Sequence, residues 1–143
     1  MNPSLLIDNS AWSRLRDPAL ESSRRTEIER HLIVGEVAVC LPFLLEAGYS
    51  AKRSQDHPVL LERFLAMPRV HLDSAVEDLA LDAQAQLARS AQHRVPPMDL
   101  LVAALAGHHH LGLLHYDSHF EHIERHTDLA FESIWLAPRG SLA

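Results

Sequence analysis

The chain has 143 residues, of which 47% are hydrophobic and 22% charged, and its formal net charge is −6 at pH 7; these values predict one globular domain over residues 1–143. No apolar run is long enough to cross a bilayer, no basic region precedes the first apolar stretch, and the lone Cys40 excludes an intrachain disulfide, so we expect a cytoplasmic protein. The negative charge argues against nucleic-acid binding unless several acids surround a bound cation that offsets them.

Short apolar segments alternate with helical patterns along the chain. Strands are predicted, in chain order, at residues 5–7, 36–41, 69–73, 111–117 and 129–136. Helices are predicted between them, at residues 23–33, 43–51, 59–67, 74–91, 96–110 and 118–126. Pro42 favours a helix start, and Ser74 followed by Glu77 is typical of a capping box. This alternation implies right-handed crossovers, so the expected fold class is α/β, a three-layer α/β/α domain with a mainly parallel central sheet.

Two of the predicted strands end in an acidic residue. Asp8 follows the apolar run in "SLLIDNSAW", and Asp117 follows the strand in "GLLHYDSHF". Polar residues commonly follow a strand because they form the turn, which is one interpretation of both acids. The other interpretation is a binding site, because ligands of open α/β sheets bind at the carboxyl ends of the strands.

Two further acids lie in early turns of predicted helices. Glu46 has apolar neighbours in "PFLLEAGYS", where an unpaired buried charge is costly, so it either pairs with an arginine, turns to solvent or has a function. Asp99 lies in the first turn of the helix in "VPPMDLLVAALA", where the helix dipole favours a carboxylate on its own account. These helix starts and the strand ends lie at one sheet edge. Four carboxylates there repel one another unless a cation binds, and oxygen ligands suit Mg²⁺ or Mn²⁺.

Four segments, in this order, resemble the PIN-domain ribonucleases, specifically the VapC-type toxins of bacterial toxin–antitoxin pairs. They are "LLIDNSAWSRL", "LPFLLEAGYSA", "VPPMDLLVAALA" and "LLHYDSHFEHI", and the resemblance covers nearly the whole chain. It implies an endoribonuclease that hydrolyses RNA with Mg²⁺, or with Mn²⁺ in its place. It also implies a homodimer and a small VapB-type antitoxin that plugs the active-site groove.

The acidic quartet of this family falls on Asp8, Glu46, Asp99 and Asp117. The resemblance implies that the three aspartates bind metal, directly or through water. It implies that Glu46 binds a second ion or orients the attacking water, and that Ser10 supports the first acid.

Two positions depart from the family pattern. Many relatives carry a further acid two residues after the fourth acid, where this chain has His119, and Asn9 replaces a frequent threonine. The first departure leaves the occupancy of a second metal position open.

Arginines in the first part of the chain are candidates to hold RNA phosphates, because a guanidinium group suits bidentate phosphate contacts. They are Arg14, Arg16, Arg24 and Arg25. The alternative is that these side chains belong to solvated helix faces.

Eleven histidines suggest a different class of function, a non-enzymatic metal-binding protein. The side chains at His115, His119, His122 and His126 have a spacing that suits zinc ligands along one helix face. Against this alternative, His115 belongs to a predicted strand. The histidines at 108–110 lie at a helix end, where imidazoles interact favourably with the dipole.

A PIN nuclease that acts in RNA maturation without an antitoxin is the other alternative. The small size of the chain and the lack of an appended RNA-binding domain favour the toxin instead. The segment from residue 42 to residue 67 is the expected partner surface, because exposed apolar helix faces there can receive a helix of an antitoxin.

Overall fold

A computed structural model describes residues 2–91 and 94–143. Its four strands are β1 (Leu5–Ile7), β2 (Val37–Ala38), β3 (Gly112–His115) and β4 (Glu132–Trp135). They form one sheet in the order β2-β1-β3-β4, and every neighbouring pair is parallel. The prediction of an α/β fold with a parallel central sheet is therefore confirmed.

Helices separate the strands along the described chain, and four of them lie between β2 and β3. The helices are α1 (Asn9–Trp12), α2 (Ser22–Ile33), α3 (Leu41–Tyr49), α4 (Asp56–Leu65), α5 (Ser74–Arg89), α6 (Pro97–His108) and α7 (His119–His126). Within residues 2–91 and 94–143, none of these helices has the length and apolar character needed to cross a membrane.

Helices cover both faces of the sheet, as the three-layer expectation requires. On one face, Ile28 of α2 faces Leu5 and Leu114 across a small cavity of about 150 Å³. Side chains of consecutive strand residues point to opposite faces. His115 accordingly lies on the other face, where its ring centroid is 5.0 Å from that of Phe120 in α7.

The strand order creates a point where the direction of winding reverses. From β1 the chain passes through α2 to β2 on one side, and after β2 it returns past β1 to add β3 on the other side. A crevice forms outside the carboxyl ends of β1 and β3, because the two connections leave in opposite directions. Ligands of doubly wound sheets bind at this switch point.

The predicted strand at residues 69–73 is wrong. Only an isolated bridge between Val39 and Arg69 forms there, with hydrogen bonds from Val39 N to Pro68 O at 2.9 Å and from Val70 N to Val39 O at 3.0 Å. The neighbouring strand β2 has two residues, and the chain enters α3 at Leu41. The ladder therefore ends for lack of a partner strand.

The presence of α1, the cap of α5 and the start of α4 differ from the sequence-based expectation. Helix α1 was not predicted, since its four residues are too few for a periodic pattern. Helix α5 is capped by Asp73, whose Oδ1 accepts a hydrogen bond from Val76 N at 3.0 Å, and not by Ser74 as a capping box would require. Helix α4 begins at Asp56, which places Pro58 in the first turn, where its missing N–H removes no helix hydrogen bond.

Three aromatic rings fix α1 against α3 and α4. The ring centroid of Phe64 lies 5.0 Å from that of Trp12 and 4.9 Å from that of Phe43, and both pairs pack edge to face. Edge-to-face pairs add about 0.5–1.5 kcal/mol to the stabilisation from burial. Because Trp12 ends the helix that follows Asp8, and Phe43 lies one turn before Glu46, this cluster also positions two of the acidic residues.

Candidate active site

Asp8 is the first residue after β1 and caps α1. Its Oδ2 accepts hydrogen bonds from Ser10 N at 3.0 Å and from Ser10 Oγ at 2.6 Å. The residue is 5% exposed, and this burial raises the pKa of the carboxyl group. The hydrogen bonds from Ser10 lower the pKa, whereas the nearby carboxylate of Asp117 raises it further. Asp8 is thus a buried acid that the fold holds in one orientation.

Asp117 follows β3 and lies on the other side of the switch point. Its backbone N–H donates to His115 Nδ1 at 3.1 Å, and its Oδ1 accepts from His119 N at 3.0 Å. Ser10 connects this loop to the first acid, since its Oγ accepts a hydrogen bond from Tyr116 N at 2.9 Å. The loops that follow β1 and β3 are therefore joined directly.

Asp99 is the third residue of α6, whose remaining turns are almost entirely buried. Its side chain is 16% exposed. Burial raises the pKa of the carboxyl group to about 6, the hydrogen bond from His119 lowers it, and the carboxylates of Asp8 and Asp117 raise it. Asp99 is thus within electrostatic reach of two other predicted site acids.

Glu46 lies in α3 and is half-buried. Burial raises the pKa of its carboxyl group, and the charges of Asp8 and then Asp99 raise it further. The structure therefore brings all four predicted acids into one electrostatically coupled region, although Glu46 makes no side-chain hydrogen bond to any of the residues that the structure describes.

His119 contacts two of the four acids. Its Nδ1 lies 2.9 Å from Asp99 Oδ2 and 3.1 Å from Asp117 Oδ1. One ligand atom from each of these three residues lies within 4.8 Å of the other two, and no further cluster of this kind occurs in residues 2–91 and 94–143. Asp8 and Glu46 adjoin this cluster but are not members of it.

His115 is a positioning residue that the sequence analysis did not identify. It is fully buried, and this burial lowers the pKa of the imidazole to about 4. Its Nδ1 accepts from Asp117 N, so the ring proton is on Nε2, which donates to Ser133 Oγ at 2.6 Å. A histidine in an apolar strand, two residues before an acid, is the sequence signal that could have indicated this role.

The row of zinc-binding histidines considered as an alternative does not form among the described residues. His115 is buried in the sheet, whereas His119 contacts the acids. The rings of His122 and His126 stack on each other with centroids 6.3 Å apart. Among the described histidines, only His119 joins a cluster that can hold a metal ion.

Arg14 lies beside the site. Its guanidinium group donates to Ser10 O at 2.8 Å and to Ala143 O at 3.0 Å, and its central carbon is 4.9 Å from the ring centroid of Tyr116. Its contacts with Ser10 and Tyr116 place it next to both loops of the switch point.

The other predicted arginines have different surroundings. Arg24 donates to the backbone oxygens of Trp135 and Leu136, which fixes α2 to the end of β4. Arg25 donates to three backbone oxygens of the loop before α2, those of residues 15, 17 and 20. Arg16 is exposed. The contacts of Arg24 and Arg25 are structural, whereas the contacts of Arg14 place it beside Ser10 and Tyr116.

The donor set fits a divalent cation. Carboxylates with raised pKa values favour the neutral form, because burial and mutual repulsion oppose their charges. A cation among them would remove this repulsion, and carboxylate oxygens are suitable ligands for Mg²⁺ and Mn²⁺. Asp99 and Asp117 are the pair best placed to hold such an ion. The charges of Asp8 and Glu46 are coupled to this pair, since Asp8 and Asp117 raise the pKa of Asp99, and Asp8 and Asp99 raise that of Glu46.

Comparisons with known proteins agree on one family. The PIN domain family matches residues 5–126. Ribonuclease VapC2 of Mycobacterium tuberculosis (strain CDC 1551 / Oshkosh) is 37% identical over 136 residues, which cover 93% of this chain and 94% of the relative. Ribonuclease VapC21 from the same strain is 34% identical over 143 residues and 99% of both chains.

Solved structures share the fold. A chain in the crystal structure of DNA-bound VapBC from Salmonella typhimurium matches with a TM-score of 0.73 at 16% identity, over 94% of this chain and 99% of that one. VapBC-5 from Mycobacterium tuberculosis matches with a TM-score of 0.66 at 21% identity, over 93% and 99%. The fold and the sequence relatives agree, and the chain belongs to the PIN-domain family and, within it, to the VapC ribonucleases.

Proposed function

We propose that this protein is a Mg²⁺-dependent endoribonuclease that acts as the toxin of a toxin–antitoxin pair. The observation that carries the proposal is the convergence of four coupled carboxylates at the switch point of the sheet, in a chain whose relatives are named ribonucleases. Asp99 and Asp117 each contribute a carboxylate oxygen to one small cluster. Such an arrangement suits hydrolysis of a phosphodiester, which needs positive charge beside the scissile phosphate.

A bound divalent ion would supply Lewis-acid activation of water and would stabilise the charge that develops on the phosphate. Asp99, Asp117 and Asp8 are the residues proposed to hold it. The hydrogen bonds from Ser10 keep the Asp8 carboxylate fixed before substrate arrives. A pre-oriented site avoids reorganisation during the reaction.

Glu46 has a separate proposed role. It is half-buried, and the raised pKa of its carboxyl group favours proton acceptance more than that of an ordinary glutamate does. We assign it to orient the water that attacks phosphorus and to receive its proton, while the bond to the leaving oxygen breaks. In the alternative assignment, the Glu46 carboxylate holds a second cation.

RNA is the proposed substrate, held in part by Arg14. Its guanidinium group is anchored on Ser10 O and stacks near Tyr116, next to the acids. Because the chain has a net charge of −6, general attraction to the RNA backbone is weak, and binding depends on the cation and on such local contacts. Single-stranded loops are the expected targets, since their bases and backbone are accessible.

An antitoxin is the proposed partner, and helices α3 and α4 provide its surface. Between them lies an open groove of about 510 Å³, lined by apolar side chains that include Leu45, Tyr49 and Leu65. These three side chains are 59%, 93% and 51% exposed. Glu46 lies on the same helix as Leu45, so a partner seated in the groove can extend a basic side chain to the acids. Family membership is the basis on which we propose a homodimer. Measurement of the molecular mass of the protein in solution tests this proposal.

The nuclease proposal is tested with purified protein and a labelled single-stranded RNA in Mg²⁺, in Mn²⁺ and in EDTA. We expect internal cleavage in Mg²⁺ and none in EDTA. Asp117→Asn should remove cleavage, whereas Asp78→Asn, an exposed acid on α5, should not. Equal cleavage by the wild type and Asp117→Asn would overturn the site assignment.

The toxin proposal needs a separate test. Brief induction in cells should stop growth, and sequencing of RNA ends should reveal recurrent cleavage sites that Asp117→Asn does not produce. Co-expression with a short neighbouring gene should give a complex with little RNase activity. Harmless induction, with no binding to a neighbouring gene product, would overturn the toxin proposal and leave the nuclease proposal standing.

A further inference from the structure

His119 lies where one metal ion can contact it together with two acids. Its Nδ1 is 2.9 Å from Asp99 Oδ2 and 3.1 Å from Asp117 Oδ1, and the three ligand atoms lie within 4.8 Å of one another. We infer that His119 is a nitrogen ligand of the cation held by Asp99 and Asp117, so that this site prefers Mn²⁺ over Mg²⁺ more strongly than an all-oxygen site would. This inference rests on the proposed metal-dependent nuclease.

The local backbone fixes the imidazole at this place. His119 is the first residue of α7, and its backbone N–H donates to Asp117 Oδ1 at 3.0 Å. Asp99 approaches from the first turn of α6, so the cluster joins the starts of two helices across the crevice. The His119 side chain is 40% exposed, which leaves the ring room for the small shift that replaces a hydrogen bond by a metal bond.

The donor chemistry determines the preference. Mg²⁺ takes oxygen ligands and retains several waters, so an imidazole nitrogen adds little to its affinity. First-row transition ions accept imidazole together with carboxylate, and their affinities for mixed sites rise from Mn²⁺ onward. A site of two carboxylates and one imidazole therefore discriminates against Mg²⁺.

Pulsed electron paramagnetic resonance of bound Mn²⁺ tests the inference on the full chain, without reference to activity. A directly bound imidazole gives a nitrogen hyperfine modulation of the Mn²⁺ signal. We expect this modulation in the wild type and its loss in His119→Gln. The matched control is His122→Gln, because His122 is on the same helix but outside the cluster, and it should retain the modulation.

Calorimetric titrations with Mg²⁺ and Mn²⁺ provide the second measurement. His119→Asp replaces the nitrogen by oxygen and should still bind both ions. Its ratio of the Kd for Mg²⁺ to the Kd for Mn²⁺ should fall about tenfold relative to the wild type, a change of ~1.4 kcal/mol. An unchanged ratio overturns the inference.

The outcomes separate the inference from the proposed function. Stoichiometric Mn²⁺ binding that Asp99→Asn abolishes, without nitrogen modulation in the wild type, overturns the role of His119 and leaves the proposed nuclease site intact. Mn²⁺ binding that Asp99→Asn does not weaken overturns the site itself. The wild-type spectrum alone decides whether an imidazole nitrogen binds the Mn²⁺ ion, even where a variant fails to fold.

Discussion

The hydroxyl oxygen of Ser10 accepts a hydrogen bond from the backbone N–H of Tyr116 at 2.9 Å. The same hydroxyl donates to Asp8 Oδ2 at 2.6 Å. One side chain thus connects the acid after β1 with the loop after β3, and these are the two strands at which the winding of the sheet reverses. Side-chain hydrogen bonds of this kind contribute about 0.5–1.5 kcal/mol each, and more when a charged group accepts.

Replacement of Ser10 by Ala should loosen both loops at once. We expect Ser10→Ala to lower the free energy of unfolding by about 1–3 kcal/mol, because Tyr116 N and the buried Asp8 carboxylate both lose a partner. RNA cleavage should fall more than about tenfold, since Asp8 is no longer held in one orientation. Chemical denaturation and a timed cleavage assay measure the two effects.

Ser13 provides the control for this substitution. It is exposed and follows the last residue of the same short helix as its C-cap, so Ser13→Ala should change stability by less than about 0.5 kcal/mol. Wild-type cleavage by Ser10→Ala would show that the orientation of Asp8 does not limit the reaction.

The fold could be predicted where local pattern and tertiary context agree. The run at Leu5–Ile7 is apolar and bounded by polar residues, and it pairs with two neighbours in the centre of the sheet. The apolar residues around Val70 have a similar local pattern, but a strand needs a partner backbone of matching length. The adjacent β2 ends at Ala38, so only one bridge forms. The length of the partner strand cannot be predicted from the residues around Val70 themselves.

Asp99→Asn should stabilise the metal-free protein while removing its activity. At pH 7 in EDTA the wild type holds an ionised carboxylate among Asp8 and Asp117, and burial and repulsion raise its pKa to about 6. An uncharged amide should therefore increase the free energy of unfolding by about 1–2 kcal/mol. Metal-dependent cleavage should fall more than about a hundredfold, or ~2.7 kcal/mol in barrier.

Melting with and without Mn²⁺ separates the loss of the metal site from a general change in stability. Mn²⁺ should raise the Tm of the wild type, because it binds only the folded state, and should not raise that of Asp99→Asn. Asp78→Asn, an exposed change on α5, should match the wild type in both EDTA and Mn²⁺. A Tm of Asp99→Asn that responds to Mn²⁺ as the wild type does would contradict the metal assignment.

Among the groups that shape the pH dependence of stability, Asp99 and His115 should make opposing contributions. Folding raises the pKa of Asp99 from 3.8 to about 6, so the folded state binds more protons and this contribution to stability falls as the pH rises through that window. Folding lowers the pKa of His115 from 6.5 to about 4, so the unfolded state binds more protons and this contribution rises with pH. After screening by solvent, each amounts to about 1–3 kcal/mol.

Removal of one contribution should expose the other. In EDTA, the free energy of unfolding of Asp99→Asn should increase more steeply between pH 4 and pH 6 than that of the wild type, whose opposing contributions partly cancel. Urea titrations at half-unit pH steps measure the slopes. Parallel slopes for the two proteins would mean that Asp99 titrates alike in the folded and unfolded states.

The site was only partly accessible to prediction from sequence. Asp8 and Asp117 could be placed together because both follow parallel strands, and the sheet edge is a property of the topology. His119 could not be given its place between acids, because its contact with Asp99 spans 20 positions and depends on how α6 and α7 pack. The sequence marked His119 as a departure from the family pattern and as one of four histidines with zinc-ligand spacing, and neither observation predicted its contact with Asp99.

Inhibition by the proposed antitoxin should depend on the groove between α3 and α4. Tyr49 and Leu65 line it and are 93% and 51% exposed, so an apolar partner helix would bury both. We expect the double variant Tyr49→Ser with Leu65→Ser to weaken antitoxin binding by at least tenfold, about 1.4 kcal/mol, because exposed anchors become polar. Calorimetry with the product of the neighbouring gene measures it, and RNA cleavage by the free variant should match the wild type.

The control for the groove is Leu81 on α5, which is 67% exposed and lies outside it. Leu81→Ser should bind the antitoxin as the wild type does. On the antitoxin, replacement of the basic residue that enters the acidic site by Ala should weaken inhibition more than binding, because the apolar contacts in the groove remain while the competition for the carboxylates is lost. If the Tyr49 and Leu65 double variant binds with wild-type affinity, or if the basic residue proves to matter equally for both, the antitoxin contacts another surface and blocks the site by a different route.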